Sequence, residues 1–579
     1  MTTHPRNLLD LPPEIIESII SYVALDRDTL PNVSLTCSVL RRLTAVYLHD
    51  SLVVDFGGFD FYNLPHIARS LLEDPCGWGY IVRKLDFIHS SKALPEGRYV
   101  ELYEAMHLLS DHRECCFGEV AALRFPFHLD FTAQTMPHIV DLFQQFPHIT
   151  ELIIPITTEL LLNFETTLFS GLDSLRKLSF KTRLPRDLYF PNTPEIYVLW
   201  KAINANLKRL DFLCVDFCHS ELEDPLSTEA SNHSPLRFSR SFRQANLPEP
   251  LSLKVFQARS CDECSDDDQI FYRLSFQMPG FLRFELLQVL SLIEIRDVCK
   301  PFRNIANQFT SLEYLQLHEL LLIDVRDLET IFQNLPRPLI ALSLSIERRD
   351  GYDRHRAFIY DSLARHRNSL RSLSLRAGPT LTLFNQRSVI LPPHLDSRGE
   401  IRSAMADFRQ WTNLEELTLS IGAIPGSLTN ILLPASLKVL YVEDHHQSNC
   451  YSHARLQDRP FDCEDQGCRL RKLPSDEEAI ESYSWLLEQY FLNREYLTEK
   501  TAFALQAAAI RPVSSREGRP DPIYFTIEKT FLTRPWSPIK LSVVPKAEFQ
   551  SKFNKTNFPF NEHRLCDWVN TCREWWGQS

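Results

Sequence analysis

Two short stretches of the sequence hold residue types that bind metal ions or react through sulfur. Cys261 and Cys264 form a CxxC motif, which can chelate zinc or carry out redox chemistry. No second CxxC motif lies nearby and three aspartates follow at 266–268, which is typical of an acidic loop. The second stretch holds six possible ligands, and four of them would be enough for a tetrahedral zinc site: His445, His446, Cys450, His453, Cys463 and Cys468.

The pattern around these residues does not extend to a complete metal site or an active site. The spacings within 445–468 match no common zinc finger, so a polar loop is the simpler interpretation. The motifs HExxH, GxSxG and GxGxxG are absent, and there is no Gly-Lys pair from which a P-loop could be built. The sequence therefore predicts a protein with no catalytic residues, no bound metal and no cofactor.

Composition and charge narrow the choice of partners. The 579 residues are 44% hydrophobic and 23% charged, which is ordinary for a globular protein with a large core. The formal net charge of -12 does not favour nucleic acid or an anionic membrane as a partner. We predict neither a signal peptide nor a membrane-spanning helix, so the fourteen cysteines are expected to stay reduced and the protein to be cytoplasmic, nuclear or both.

A six-residue pattern recurs twelve times along the middle of the chain. Each copy reads apolar, two variable residues, a leucine-like residue, one variable residue and a final apolar residue. The last two apolar positions alternate, so their side chains are expected on one face of a short strand. The copies begin at Val82, Val120, Ile149, Leu175, Leu207, Leu253, Leu287, Leu312, Leu339, Leu370, Leu414 and Leu437.

Segments between these copies have helical spacing, most clearly at Leu328, Ile331, Phe332 and Leu335. A strand and a helix that each have one apolar face can bury both by stacking on neighbouring repeats. The pattern resembles the leucine-rich repeat family, which implies parallel strands with helices outside. Repeat length varies, so we predict an irregular α/β solenoid; a doubly wound sheet is the alternative, but it would need longer apolar strands and Gly-rich turns.

The apolar residues near the N-terminus fall on one face of a predicted helix. Pro12 and Pro13 fit its first turn, where a missing N–H group costs nothing. The residues at helical spacing are Ile15, Ile16, Ile19, Ile20 and Val23, and a second helical stretch surrounds Cys37. This order, from Leu-Pro-Pro-Glu-Ile-Ile at 11–16 to the Cys37 helix, resembles the F-box family over residues 8–48.

The resemblance implies a three-helix motif that docks on the Skp adaptor of a Skp–cullin–F-box ubiquitin ligase, while the repeats bind an unknown target protein. It implies a non-catalytic subunit, which acts by holding the target near the ligase. The irregular repeats resemble those of fungal F-box proteins. The residues predicted to contact the adaptor are Leu11, Pro12, Ile15, Ile16, Ile19, Ile20, Leu30, Leu35 and Leu40. For these helices, a cap that seals the first repeat is the alternative. For the whole chain, an interaction scaffold outside any ligase and an enzyme with an unrecognised site also stay open.

The predicted domains are an F-box at 5–50, a degenerate leucine-rich-repeat solenoid at 51–445, and an insertion loop with a capping region at 446–579. In the last part, the strand-like runs 522–532 and 539–545 predict a hairpin that covers the final repeat, in an α+β cap. Long insertions in solenoids often bind partners. Four of them interrupt the repeats, at about 219–250, 260–269, 376–400 and 443–474.

Overall fold

The chain divides into two compact units, which are described separately: Met1–Leu251 with Cys572–Ser579, and Ser252–Thr571. The predicted domain limits stay predictions. The computed structural model describes residues 12–23, 29–37, 39–40, 43–44, 47, 50–55, 82–88, 120–125, 143, 146, 148–157, 169, 171–184, 203, 207–219, 250–260, 282–293, 299–320, 325–346, 362–377, 406–420, 431–443, 480, 484, 487, 505–511, 522–529 and 539–553.

The first unit contains two helices followed by six parallel strands in chain order. Helix α1 spans Pro13–Val23 and α2 spans Thr29–Ser34, and helical residues recur between 39 and 47. Each strand pairs in parallel with the next. The strands are β1 (Ser51–Asp55), β2 (Lys84–Ile88), β3 (Ala122–Arg124), β4 (Glu151–Thr157), β5 (Lys177–Leu184) and β6 (Phe212–His219).

The second unit continues in the same manner with eight parallel strands in chain order. These are β7 (Val255–Ser260), β8 (Val289–Ile293), β9 (Tyr314–Leu320), β10 (Ala341–Ile346), β11 (Ser372–Ala377), β13 (Glu416–Ser420), β15 (Val439–Glu443) and β16 (Ala507–Arg511). Between them lie α3 (Cys299–Ile305), α4 (Val325–Asn334) and a separate parallel pair of β12 (Ala406–Asp407) and β14 (Ile431–Leu432).

The strand order confirms a solenoid-like α/β fold. Within each unit every strand of the main sheet lies beside the preceding strand of that sheet, whereas a doubly wound sheet reverses its order at a switch point. The central leucines of neighbouring repeats stand opposite one another and are at most 1% exposed. We call this side of the sheet the leucine face. The predicted apolar positions in α4 and directly after it are equally buried: Leu328, Ile331, Phe332 and Leu335.

Two details of the repeat prediction are wrong. The copy assigned to 207–212 is shifted by three residues, because Leu213 pairs with Leu178 and Val215 with Phe180. The overlapping segment 210–215 fits the same pattern, so the sequence alone does not choose between the two. A further parallel strand, β16, was missed because alanine occupies the leucine-like position: Ala508 pairs with Leu440.

The predicted C-terminal hairpin is confirmed. Strands β17 (Ile523–Lys529) and β18 (Ile539–Val544) are antiparallel, and β17 pairs antiparallel with β16. Helix α5 (Lys546–Phe553) follows, and the N–H of its Phe549 donates to the carbonyl of Pro545 at 3.0 Å. The change from parallel to antiparallel pairing ends the repeating part of the second unit.

A buried histidine completes the hydrogen bonds at the end of α4. The carbonyl of Phe332 cannot accept from residue 336, because that residue is Pro336 and has no N–H. His366 supplies the missing donor from Nε2 at 3.0 Å, and its Nδ1 accepts the N–H of Leu339 at 3.0 Å. Since a backbone N–H can only donate, the ring is neutral, with its proton on Nε2.

This geometry predicts that the second unit loses stability in mild acid. Burial lowers the pKa of His366 below its ordinary value of 6.5, and the nearby charge of Arg365 lowers it further, while the Phe332 carbonyl opposes both. Below about pH 6.5 this histidine is therefore protonated in the unfolded chain but still neutral in the folded chain. We expect the free energy of unfolding to decrease as the pH is lowered below about 6.5, and to become constant once the pH is below the pKa of His366 in the folded chain. Urea denaturation at several pH values would measure the slope, and His366→Phe should lack this part of it.

Candidate functional site

The predicted start of the N-terminal helix is confirmed. The carbonyl of Pro12 accepts the N–H groups of Ile15 and Ile16 at 3.0 and 3.1 Å, which begins helix α1 with Pro13 in its first turn. Pro12 is exposed. The geometry follows from the fixed backbone angle of proline, which suits the first helical position and needs no N–H there.

Three of the predicted adaptor contacts form a small core of their own. Ile16, Ile20 and Leu40 are 4%, 1% and 7% exposed and pack together. Partly buried apolar side chains surround them: Val23, Val33, Cys37 and Leu43. Two hydrogen bonds hold the segment after Cys37, since Cys37 Sγ accepts the Leu40 N–H at 3.4 Å and Thr44 Oγ1 donates to the Leu40 carbonyl at 2.8 Å. These three side chains hold the helices together and are covered in the structure.

Other apolar side chains of this segment are exposed. Ile15 is 48% exposed, Leu35 72%, Val39 49% and Tyr47 41%. They are four of the seven large apolar side chains that are exposed in the described part of the chain. A concentration of such side chains over so short a segment is typical of a surface that binds a partner. We call these four residues the apolar surface of the N-terminal helices.

The other predicted contact residues have different positions. Ile19 is half-buried. Leu30 lies in α2, where the structure describes its backbone only, and Leu11 lies outside the described residues. Sequence reasoning selected Ile15 and Ile16 together, because adjacent residues straddle one helix face, but only Ile16 points into the core. Val39 and Tyr47 were missed; they lie eight residues apart, a helical spacing that could have placed them on one face.

In the second unit, the side of the sheet opposite the leucine face carries a row of buried polar side chains; we call this side the polar face. The row runs across six neighbouring strands as Gln257, Ser291, Gln316, Ser343, Ser374 and Thr418. Ser291 Oγ donates to Gln316 Oε1 at 2.8 Å, and one row below, Ser372 Oγ donates to Glu416 Oε2 at 2.9 Å. Such bonds link adjacent strands and satisfy groups that would be costly to bury alone.

One contact in this row has the geometry of a nucleophile and a base. His318 Nε2 lies 2.6 Å from Ser343 Oγ. The amide nitrogen of Gln316 lies 3.1 Å from Nδ1 of the histidine. Ser343 is only 3% exposed, so a substrate has no route to its hydroxyl in this structure. The pair therefore works as a hydrogen bond between strands β9 and β10.

Helix α5 covers the C-terminal end of the polar face. Phe549 is fully buried there and Phe553 is 9% exposed. They pack on side chains from three strands: Val439, Tyr441, Ala507, Ala509 and, partly buried, Tyr524. The rings of Tyr524 and Phe549 lie 4.7 Å apart. Among the residues of this unit that the structure describes, exposed side chains are found mainly in the turns that lead into the strands.

The candidate metal ligands and the insertions fall outside the described residues. These are Cys261, Cys264, the cluster from His445 to Cys468, and the insertions except at their borders. In the described part of the chain, no three potential metal ligands come together, and Cys37, Cys214 and Cys299 form no disulfide. No described helix is long and apolar enough to cross a membrane.

Comparisons with known proteins leave the family of this chain open. No family model matches the sequence, and no curated protein matches it. Among solved structures, the crystal structure of the Rad7 and Elc1 complex in yeast aligns over 76% of this chain and 94% of its own chain, with 14% sequence identity and a TM-score of 0.30. The solenoid-like α/β fold is established from the strand order of this chain itself.

Proposed function

We propose that this chain is the target-recognition subunit of a Skp–cullin–F-box ubiquitin ligase. The N-terminal helices dock on the Skp adaptor, and the strand array binds the target protein. The observation that carries the proposal is the apolar surface of the N-terminal helices, which stays exposed although the helices already have a core of Ile16, Ile20 and Leu40. The F-box resemblance of residues 8–48 supports the same assignment.

The free energy gained by burying the apolar surface favours a bound partner over leaving this surface in water. Burying one large apolar side chain contributes roughly 1.5–3 kcal/mol before the costs of association. Ile15, Leu35, Val39 and Tyr47 together are enough for the centre of a specific interface, where a few side chains carry most of the affinity. The chain itself performs no covalent chemistry in this proposal; it raises the local concentration of target lysines near the ligase.

Co-purification of the full chain with the Skp adaptor tests the proposal. We expect the wild-type chain to capture the adaptor and the double variant Ile15→Asp, Leu35→Asp to lose capture. Both side chains are exposed, so the charges disturb the surface and leave the helical core intact. Val543→Asp is the matched control, because Val543 is 48% exposed on β18 in the second unit, and this variant should capture the adaptor normally.

Failure of the folded wild-type chain to bind the adaptor would contradict the proposal. The chain would then fit the alternative of an interaction scaffold outside any ligase, with the N-terminal helices as a cap for the first repeat. Equal loss of capture in Val543→Asp would also count against it, since the loss would not be specific to the apolar surface.

A further inference from the structure

The turns that lead into four neighbouring strands carry a concentration of positive charge. Strands β10, β11, β13 and β15 are adjacent and parallel, so the turns before them stack along one edge of the sheet. We call this the basic edge. It consists of Arg337, Arg365, Arg367, Arg371, Arg409 and Lys438, and the carboxylate of Glu415 pairs with two of them, Arg371 and Lys438.

Hydrogen bonds between neighbouring turns bring the members of the basic edge together. Arg365 donates from Nη1 to the Gln333 carbonyl and from Nη2 to the Pro336 carbonyl, both at 2.9 Å, which places its guanidinium at the backbone that leads into Arg337. Arg367 Nη1 donates to Gln410 Oε1 at 2.7 Å, next to Arg409. The basic edge is therefore a continuous surface and not a set of scattered arginines.

Three of these charges have no acid to neutralise them in the described part of the chain. Glu415 lies between Arg371 and Lys438, at 3.2 and 3.1 Å, and offsets one of those two charges. Arg365 and Arg367 donate to neutral carbonyl and amide oxygens, which fix their direction and leave their charge. Arg337 is exposed and has no ion-pair partner among the described residues. The whole chain has a net charge of -12, so this local excess stands out.

We propose that the basic edge binds an acidic segment of the target protein in extended conformation. Guanidinium groups held by other hydrogen bonds are well prepared to pair with carboxylates or phosphates. Four strands span about 14 Å, and alternate side chains of an extended peptide lie about 7 Å apart, so three acidic side chains match the edge. The inference deepens the proposed function by naming the chemistry of the target. It rests on that function only in identifying the bound segment as part of a ubiquitination target.

Binding of labelled peptides to the full chain tests the inference. The probes are a fluorescein-labelled peptide of alternating glutamate and serine, the same peptide with phosphoserine, and a single-stranded RNA as competitor. We expect peptide binding that weakens with salt, and a loss of roughly tenfold or more in Arg337→Glu, Arg367→Glu. The matched control is Lys208→Glu, Arg209→Glu, which reverses two exposed charges in the turn before β6 of the first unit and should bind as wild type.

The peptide that binds more tightly shows whether carboxylates or phosphates supply the negative charge. The inference is overturned if the folded wild-type chain binds neither peptide, if both pairs of variants lose binding equally, or if RNA displaces the peptides at lower concentration. Adaptor capture by the Arg337→Glu, Arg367→Glu variant should be normal. A failure of peptide binding with intact adaptor capture therefore separates this inference from the proposed function.

Discussion

The substitution Ile16→Asp is expected to unfold the N-terminal helices, whereas Ile15→Asp, one residue earlier, should leave them folded. Ile16 is 4% exposed and Ile15 is 48% exposed, although both are isoleucines of the same helix. An ionised carboxylate in the core of Ile20 and Leu40 would have no partner, and burying it costs several kcal/mol. A helical segment this small has little stability to lose.

Limited proteolysis of the two full-length variants would measure this difference. We expect rapid cleavage within residues 12–47 for Ile16→Asp and wild-type resistance for Ile15→Asp, with the strands of both units unaffected. Both variants should bind the adaptor poorly, the first because the helices are lost and the second because one contact is lost. Equal resistance of the two variants would contradict the assignment of Ile16 to the core.

The substitution His366→Phe is expected to destabilise the second unit strongly while keeping the volume of the side chain. It leaves the N–H of Leu339 and the carbonyl of Phe332 buried without their partner, and each such group costs about 1–3 kcal/mol. The expected loss is therefore about 2–6 kcal/mol. Repeat arrays open locally, so amide hydrogen exchange in β10 and β11 is the appropriate measurement.

A second change supplies the control for His366→Phe. Pro336→Ala restores an N–H at the position from which the Phe332 carbonyl would accept in a continuing helix. Adding it to His366→Phe should recover part of the lost protection. Unchanged exchange of the Leu339 amide in His366→Phe would show that the two hydrogen bonds contribute little.

Much of the strand array could be predicted because its pattern is local. An alternating Leu-x-apolar pair places both side chains on one face whatever the rest of the chain does, and the buried Leu290, Leu315 and Leu342 confirm it. The errors arose where composition is ambiguous. Overlapping matches at 207–215 hid the true register of β6, and alanines in β16 removed the leucine signal.

The candidate surfaces could be predicted only in part, because they depend on contacts between distant residues. Helical periodicity selected Ile15, Ile16 and Ile20 together, but the partner that buries two of them, Leu40, comes from a later helix. The basic edge was missed entirely: Arg337, Arg367 and Arg409 lie in separate repeats, and their proximity depends on the strand order. The role of His366 needed the position of the α4 carbonyl that Pro336 leaves without a donor.

Hydrogen exchange of the full chain with and without the Skp adaptor tests the central claim most directly. The account predicts that saturating adaptor slows amide exchange in α1, α2 and the helical residues between 39 and 47, around Ile15 and Leu35. Exchange in strands β7 to β16 should not change, because these strands are assigned to the target. No slowing in residues 12–47, or slowing confined to the strand array, would contradict the claim that the N-terminal helices dock on a ligase adaptor.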